Sequence, residues 1–212
     1  MNYKFVLFDF DYTLADATEG IVESFNYGFN KVNLPRPEVN EIKKTVGQPL
    51  YTAFTILTGI ENQDTIEIFR EHFRIKADEV MSSKTKLMPD VIPVLKMLKE
   101  KGIKTGIATN KFRYRIDEVL QMYEISHLID IVIGFEDVEN HKPAPDALWK
   151  AREMLGININ ETLYVGDSLI DAEAANRAEV DFLAVTTGTT ETFDDFKHIG
   201  VIKNLSELEK YI

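Results

Sequence analysis

Residues 3–8, Tyr-Lys-Phe-Val-Leu-Phe, form a largely apolar run too short for a buried helix. Its valine and aromatics give it the pattern of a buried strand. The run ends abruptly in Asp9-Phe10-Asp11-Tyr12-Thr13-Leu14-Ala15-Asp16, two carboxylates one residue apart with a threonine close behind. On a regular strand, positions i and i+2 share a face, so two anions there repel. The chain beyond residue 8 therefore either turns to separate them or holds a cation between them. Acids that merely end a strand and cap the next helix are the plain alternative. This stretch by itself does not choose.

Beyond Asp16 the periodicity becomes helical. Asp16 and Glu19 have the spacing of a capping box, and Ile21, Phe25, Phe29 and Val32 recur at helical intervals until Asn33-Leu34-Pro35-Arg36-Pro37. Further helices are expected at 38–46, 50–58 and 64–82, and nothing between 16 and 83 reads as a strand. A helix at 90–101 ends at Gly102, after which strands at 104–108, 130–134, 162–166 and 181–185 alternate with helices at 112–124, 145–155 and 168–178. A last helix is expected near 205–211. Such alternation predicts an α/β fold, a Rossmann-type parallel sheet covered on both faces. Some ninety residues separate the first two strands, where a crossover needs about a dozen. The economical account is a catalytic core of 1–15 plus 84–212, with a helical cap of 16–83 inserted after the first strand.

The bulk numbers narrow the partners. The 212 residues are 44% hydrophobic and 28% charged, with a net charge of −11, no cysteine and no apolar run near 18 residues. That acidity disfavours nucleic acid and anionic membranes. Disulfides and thiolate metal sites are excluded, and the expected setting is a soluble, cytoplasmic protein, monomer or homodimer.

In an open parallel sheet, ligands sit beyond the carboxyl ends of the strands. The first strand ends at Asp9 and Asp11, and the second at Thr109-Asn110. The third is followed by Lys142 in His-Lys-Pro, and the fourth ends at Gly166-Asp167-Ser168 with Asp171 one turn on. Each has an innocent reading as a cap, a loop lysine or a solvated face. Together they place carboxylates, a hydroxyl, an amide and an ammonium on one sheet edge. Clustered carboxylates with few histidines suit magnesium. A hydroxyl, an amide and a lysine suit phosphoryl oxygens, one carboxylate serves as nucleophile, and another moves the proton.

The series Asp-x-Asp-x-Thr-Leu, Thr-Asn, Lys-Pro and Gly-Asp-Ser-x-x-Asp resembles the haloacid dehalogenase-like hydrolases. Within them it is similar to the phosphoglycolate phosphatase-like group, which carries a helical cap. The resemblance spans essentially the whole chain. It implies that Asp9 is nucleophile and Mg2+ ligand, and that Asp11 is general acid/base with its backbone carbonyl on the metal. It implies that Thr109, Asn110 and Lys142 hold phosphoryl oxygens, that Lys142 offsets the charge on Asp9, and that Asp167 is a metal ligand. Asp171 would orient Lys142 or metal-bound water, and Thr13 would brace the turn. The usual glycine after the second aspartate is here Tyr12.

In the cap, the loop containing Lys43, Lys44, Gly47 and Gln48 is the candidate substrate contact, weighed against an ordinary helix-terminal turn. Phe25, Phe29, Phe54, Phe69 and Phe73 are expected to be packing, and His72, His127, His141 and His198 have no ligand spacing. The expected activity is Mg2+-dependent hydrolysis of a small phosphorylated metabolite such as phosphoglycolate. The alternatives are a pyrophosphatase, a sugar phosphomutase like beta-phosphoglucomutase, and, in a different class, a non-enzymatic phospho-receiver module.

Overall fold

The computed structural model describes residues 3–212. The chain divides into two compact units, one of residues up to Asp16 with Leu87–Ile212, the other Ala17–Lys86.

The first unit is built on a six-stranded sheet. Its strands are β1 (Phe5–Phe8), β2 (Lys104–Ala108), β3 (Ile131–Ile133), β4 (Thr162–Gly166), β5 (Asp181–Val185) and β6 (Gly200–Ile202). Their order is β3-β2-β1-β4-β5-β6, every neighbouring pair parallel. Strand β1 is central and fully buried, which requires apolar residues on both faces. Val6 and Phe8 join the cluster of Leu95, Leu98 and Ile116, while Phe5 and Leu7 join that of Tyr164, Phe182 and Ala175. Helices α5 (Val91–Glu100), α6 (Arg113–Met122), α7 (Asp146–Leu155) and α8 (Leu169–Ala178) belong to this unit.

Register decides where the strands discharge. Phe8 is level with Ile107 on one side and Val165 on the other. Asp9, Thr109 and Asp167 therefore leave three adjacent strands within a residue or two of one level. The strand order reverses between β1 and β4, the place in such sheets where a crevice opens.

The second unit contains α1 (Thr18–Lys31), α2 (Val39–Lys44), α3 (Leu50–Thr58) and α4 (Gln63–Val80). Phe25, Phe29, Phe54, Phe69 and Phe73 are its core, with ring centroids 4.6 Å apart for Phe54 and Phe69 and 5.1 Å for Phe25 and Phe73. Gly28 lets α1 approach α4, since a Cβ there would lie 2.7 Å from the Phe69 ring.

Several local expectations change. The first strand begins at Phe5, not residue 3. The residue before α1 is Ala17 rather than Asp16, and it has no side chain able to cap. Strand β6 was not expected, because Gly200 interrupts its short apolar run, whereas the equally short β3 is Ile-Val-Ile throughout. Leu205–Lys210 is a 3-10 helix rather than an α-helix.

Candidate active site

Phe8 is the last residue of β1, and the turn that follows is set by Tyr12. Its φ of 61° is left-handed, a conformation glycine adopts without steric cost, which accounts for the glycine usual at this place. Tyr12 nevertheless occupies it while 7% exposed. Its N–H donates to Ala15 O at 2.7 Å, and its carbonyl accepts from Thr187 Oγ1. The turn swings Asp11 away from Asp9, so the two carboxylates acquire different partners.

Asp9 faces Lys142. The lysine Nζ donates to Asp9 Oδ1 at 2.7 Å, to Asp171 Oδ1 at 2.6 Å and to the Tyr164 hydroxyl at 2.9 Å. An ammonium has three hydrogens, and all three are engaged. Tyr164 in turn lies 3.0 Å from Ala108 O and 2.9 Å from Asp171 Oδ1, its single proton serving one at a time. Lys142 is 2% exposed, Asp9 3% and Asp171 0%, so this is a buried ion cluster. Its loop is held by Asn110: Nδ2 donates to Lys142 O and Lys142 N–H donates to Oδ1, both at 3.0 Å. The Asn110 amide thus grips the lysine's backbone.

Asp167 follows β4, and its Oδ1 accepts from Thr13 Oγ1 at 2.9 Å. Ser168 then caps α8 in a box with Asp171, whose Oδ2 accepts from Ser168 N–H and Oγ. Asp171 is therefore a cap and an ion-pair partner at once. Gly188 closes the Asp167 side: a Cβ there would stand 1.9 Å from Asp167 Oδ2, so a larger residue would have to push that carboxylate aside.

Burial pushes Asp9 up from the ordinary 3.8 to about 7, with Asp171 adding to the rise and Lys142 opposing it. Asp167 is raised well above the usual carboxylate range by burial, then by Asp171 and Asp9. Burial works to lower the Lys142 ammonium, but Asp171 and Asp9 outweigh it and hold it above the ordinary lysine range. Burial, then Asp171 and Asp9, keep the Tyr164 phenol un-ionised.

One carboxylate oxygen each from Asp9, Asp167 and Asp171 lies within 4.8 Å of the others. These hard oxygen donors fit a magnesium-sized cation, whose charge would offset the repulsion that raises Asp9 and Asp167. Asp171 already has both oxygens hydrogen-bonded, leaving Asp9 and Asp167 as the better ligands. The Asp11 side chain stands outside this group. Its two oxygens each accept from Lys111 Nζ at 2.9 Å, with side chains 11% and 8% exposed.

Thr109 is 4% exposed, and its Oγ1 accepts from Lys111 N–H at 3.3 Å. Lys43 and Lys44, in the helical unit, end α2, and Lys44 Nζ pairs with Glu41 at 3.0 Å. Gly47 follows at φ 91°, and Gln48 N–H donates to Thr45 O at 3.1 Å. Locally this is a compact helix-terminal turn.

Three residues of the site escape the sequence reading. Lys111 stands directly after Thr109-Asn110, and its position beside a strand-end pair was the available signal. Tyr164 is an aromatic hydroxyl inside an otherwise apolar strand, where a buried phenol needs a partner. Gly188, which follows two threonines, carried no signal before the approach to Asp167 was known.

A parallel α/β sheet with aspartates and lysines converging at its switch point defines the class: an enzyme fold with an acidic strand-end site. The model of the haloacid dehalogenase-like hydrolases matches residues 6–185, and the chain belongs to that family. A candidate pyrophosphatase PpaX of Caldanaerobacter subterraneus is 35% identical over 185 residues, 87% of this chain and 82% of that protein. A phosphoglycolate phosphatase of Shigella boydii is 29% identical over 209 residues, covering 86% and 81%. A solved candidate haloacid dehalogenase-like hydrolase of Bacteroides fragilis superposes with a TM-score of 0.95 at 40% identity, over 98% of this chain and 100% of that one. The protein is a phosphatase of this family.

Proposed function

We propose that this chain is a magnesium-dependent phosphatase of small phosphomonoesters in the cytoplasm, with phosphoglycolate the leading substrate. The observation that carries this is the buried Asp9–Lys142–Asp171 cluster beside Asp167. Asp9, Asp167 and the Asp11 backbone carbonyl would hold Mg2+, which when bound supplies positive charge to the phosphoryl oxygens.

Asp9 attacks phosphorus through a carboxylate oxygen while the bond to the leaving oxygen breaks. Asp11, protonated on one oxygen with Lys111 kept on the other, delivers that proton to the leaving oxygen. Water then bonds to phosphorus, the bond to Asp9 breaks, and the water's proton returns to Asp11. Thr109 Oγ1 and Lys142 orient the phosphoryl oxygens, with Asn110 fixing the lysine's backbone, Asp171 and Tyr164 its ammonium, and Thr13 the Asp167 carboxylate. Residues 16–83 act as a cap, and Lys43, Lys44, Gly47 and Gln48 as its substrate contacts, within the same proposal.

A pyrophosphatase reading is favoured by the relative of that name at 35% identity. Asp9→Asn is expected to lower kcat roughly a thousandfold or more on either substrate with the fold intact. Phosphate release near the wild-type rate from that variant would remove Asp9 as nucleophile.

A further inference from the structure

We infer that Lys111 makes this site select substrates whose leaving group is itself an anion. The inference rests on the phosphatase reading above and assigns its substrate class.

Lys111 donates to both oxygens of Asp11 at 2.9 Å, and both side chains are nearly buried. Its backbone is held at both ends: its N–H donates to Thr109 Oγ1 at 3.3 Å, and its carbonyl accepts from Phe135 N–H at 2.9 Å. Its ammonium stands over the Phe10 ring, 5.9 Å from the ring centre. A solvated loop lysine has none of this.

Stability is a poor reason for it, since burying an ion pair costs about what the pairing returns. The chain's acidity sharpens the point, because two buried lysines are spent on one sheet edge. Lys142 accompanies Asp9, where phosphorus is attacked. Lys111 accompanies Asp11, where the leaving oxygen departs.

A proton donor must come within about 2.6–3.2 Å of the oxygen it serves. An ammonium on that donor's carboxylate then lies roughly 5–6 Å from the leaving oxygen. A carboxylate one carbon beyond that oxygen, or the second phosphate of pyrophosphate, falls within its reach. A neutral alcohol of the same size draws nothing from it. The common feature of the class is therefore a negative charge two or three bonds past the scissile oxygen.

The test compares 2-phosphoglycolate and pyrophosphate with 2-hydroxyethyl phosphate, a neutral-leaving-group match for the first, at saturating Mg2+. Wild type is expected to favour both anionic substrates about tenfold or more in kcat/KM. Lys111→Met and Lys111→Gln should lower all three rates but bring the ratio under about threefold, while Lys111→Arg keeps it. A residue that only positions Asp11 would lower all three equally and leave the ratio unchanged, which overturns the inference. A wild-type ratio under about threefold overturns it as well. Should both neutral variants lose their fold by circular dichroism, the wild-type ratio decides on those same limits. Turnover without charge preference defeats this inference alone, whereas no turnover of any substrate defeats the phosphatase reading with it.

Discussion

Asp9 meets Lys142 and, beyond it, Asp171, and its raised pKa ties metal binding to pH. With the carboxyl pushed from 3.8 to about 7, metal-free protein is favoured by Asp9 below the unfolded value. That contribution is lost as pH rises through about 7, where the naked carboxylate forms. A divalent ion competes with the proton, so its affinity should fall up to about tenfold per pH unit below 7. Thermal melts should therefore show a larger gain in Tm from added Mg2+ at pH 8 than at pH 5.5. An equal gain at both would argue that the ion does not meet Asp9. The residues that announced themselves, Asp9, Asp11, Thr13, Thr109, Lys142, Asp167 and Asp171, did so because strand ends and short spacing place them. Lys111 stayed hidden because the partner that gives it meaning is a hundred positions away.

At the level of elements, alternating strands and helices were legible where a period repeats over several residues or, as in the Ile-Val-Ile of β3, where the residues are all apolar and β-branched. Strand β6 was not, since Gly200 weakens its strand pattern and its ladder is supplied by β5. The loop after β5 was silent for another reason: Gly188 matters through a contact with Asp167, not through its own conformation. Gly188→Ala should displace the Asp167 carboxylate and cut kcat by roughly tenfold or more, with the circular dichroism unchanged. Wild-type turnover in that variant would show that the loop tolerates the methyl. In the helical unit, Phe69 touches Phe25, Phe29, Phe54 and Phe73 and fills the space Gly28 leaves. Phe69→Ala should cost about 3–5 kcal/mol. Hydrogen exchange should place the loss of protection chiefly in Ala17–Lys86, and a loss spread evenly over the chain would contradict that.

For the molecule as a whole, the balance of charge sets a tension. A chain of net charge −11 repels the anions it is proposed to bind, and the attracting ammonium groups are buried. Salt screens the long-range repulsion more than the short contacts. At fixed free Mg2+, kcat/KM should rise about two- to threefold between roughly 0.02 and 0.2 M KCl. A steep fall would mean that attraction dominates the approach. Lys142 bears on the last step of that approach. Its ammonium has no fourth hydrogen, so a phosphoryl oxygen can enter only by exchange with Asp9, Asp171 or Tyr164. Tyr164 is the one neutral acceptor of the three, and its hydroxyl can still bond to Ala108 when released. Docking is then a trade at constant bond number, with the tyrosine holding the place that the incoming anion takes.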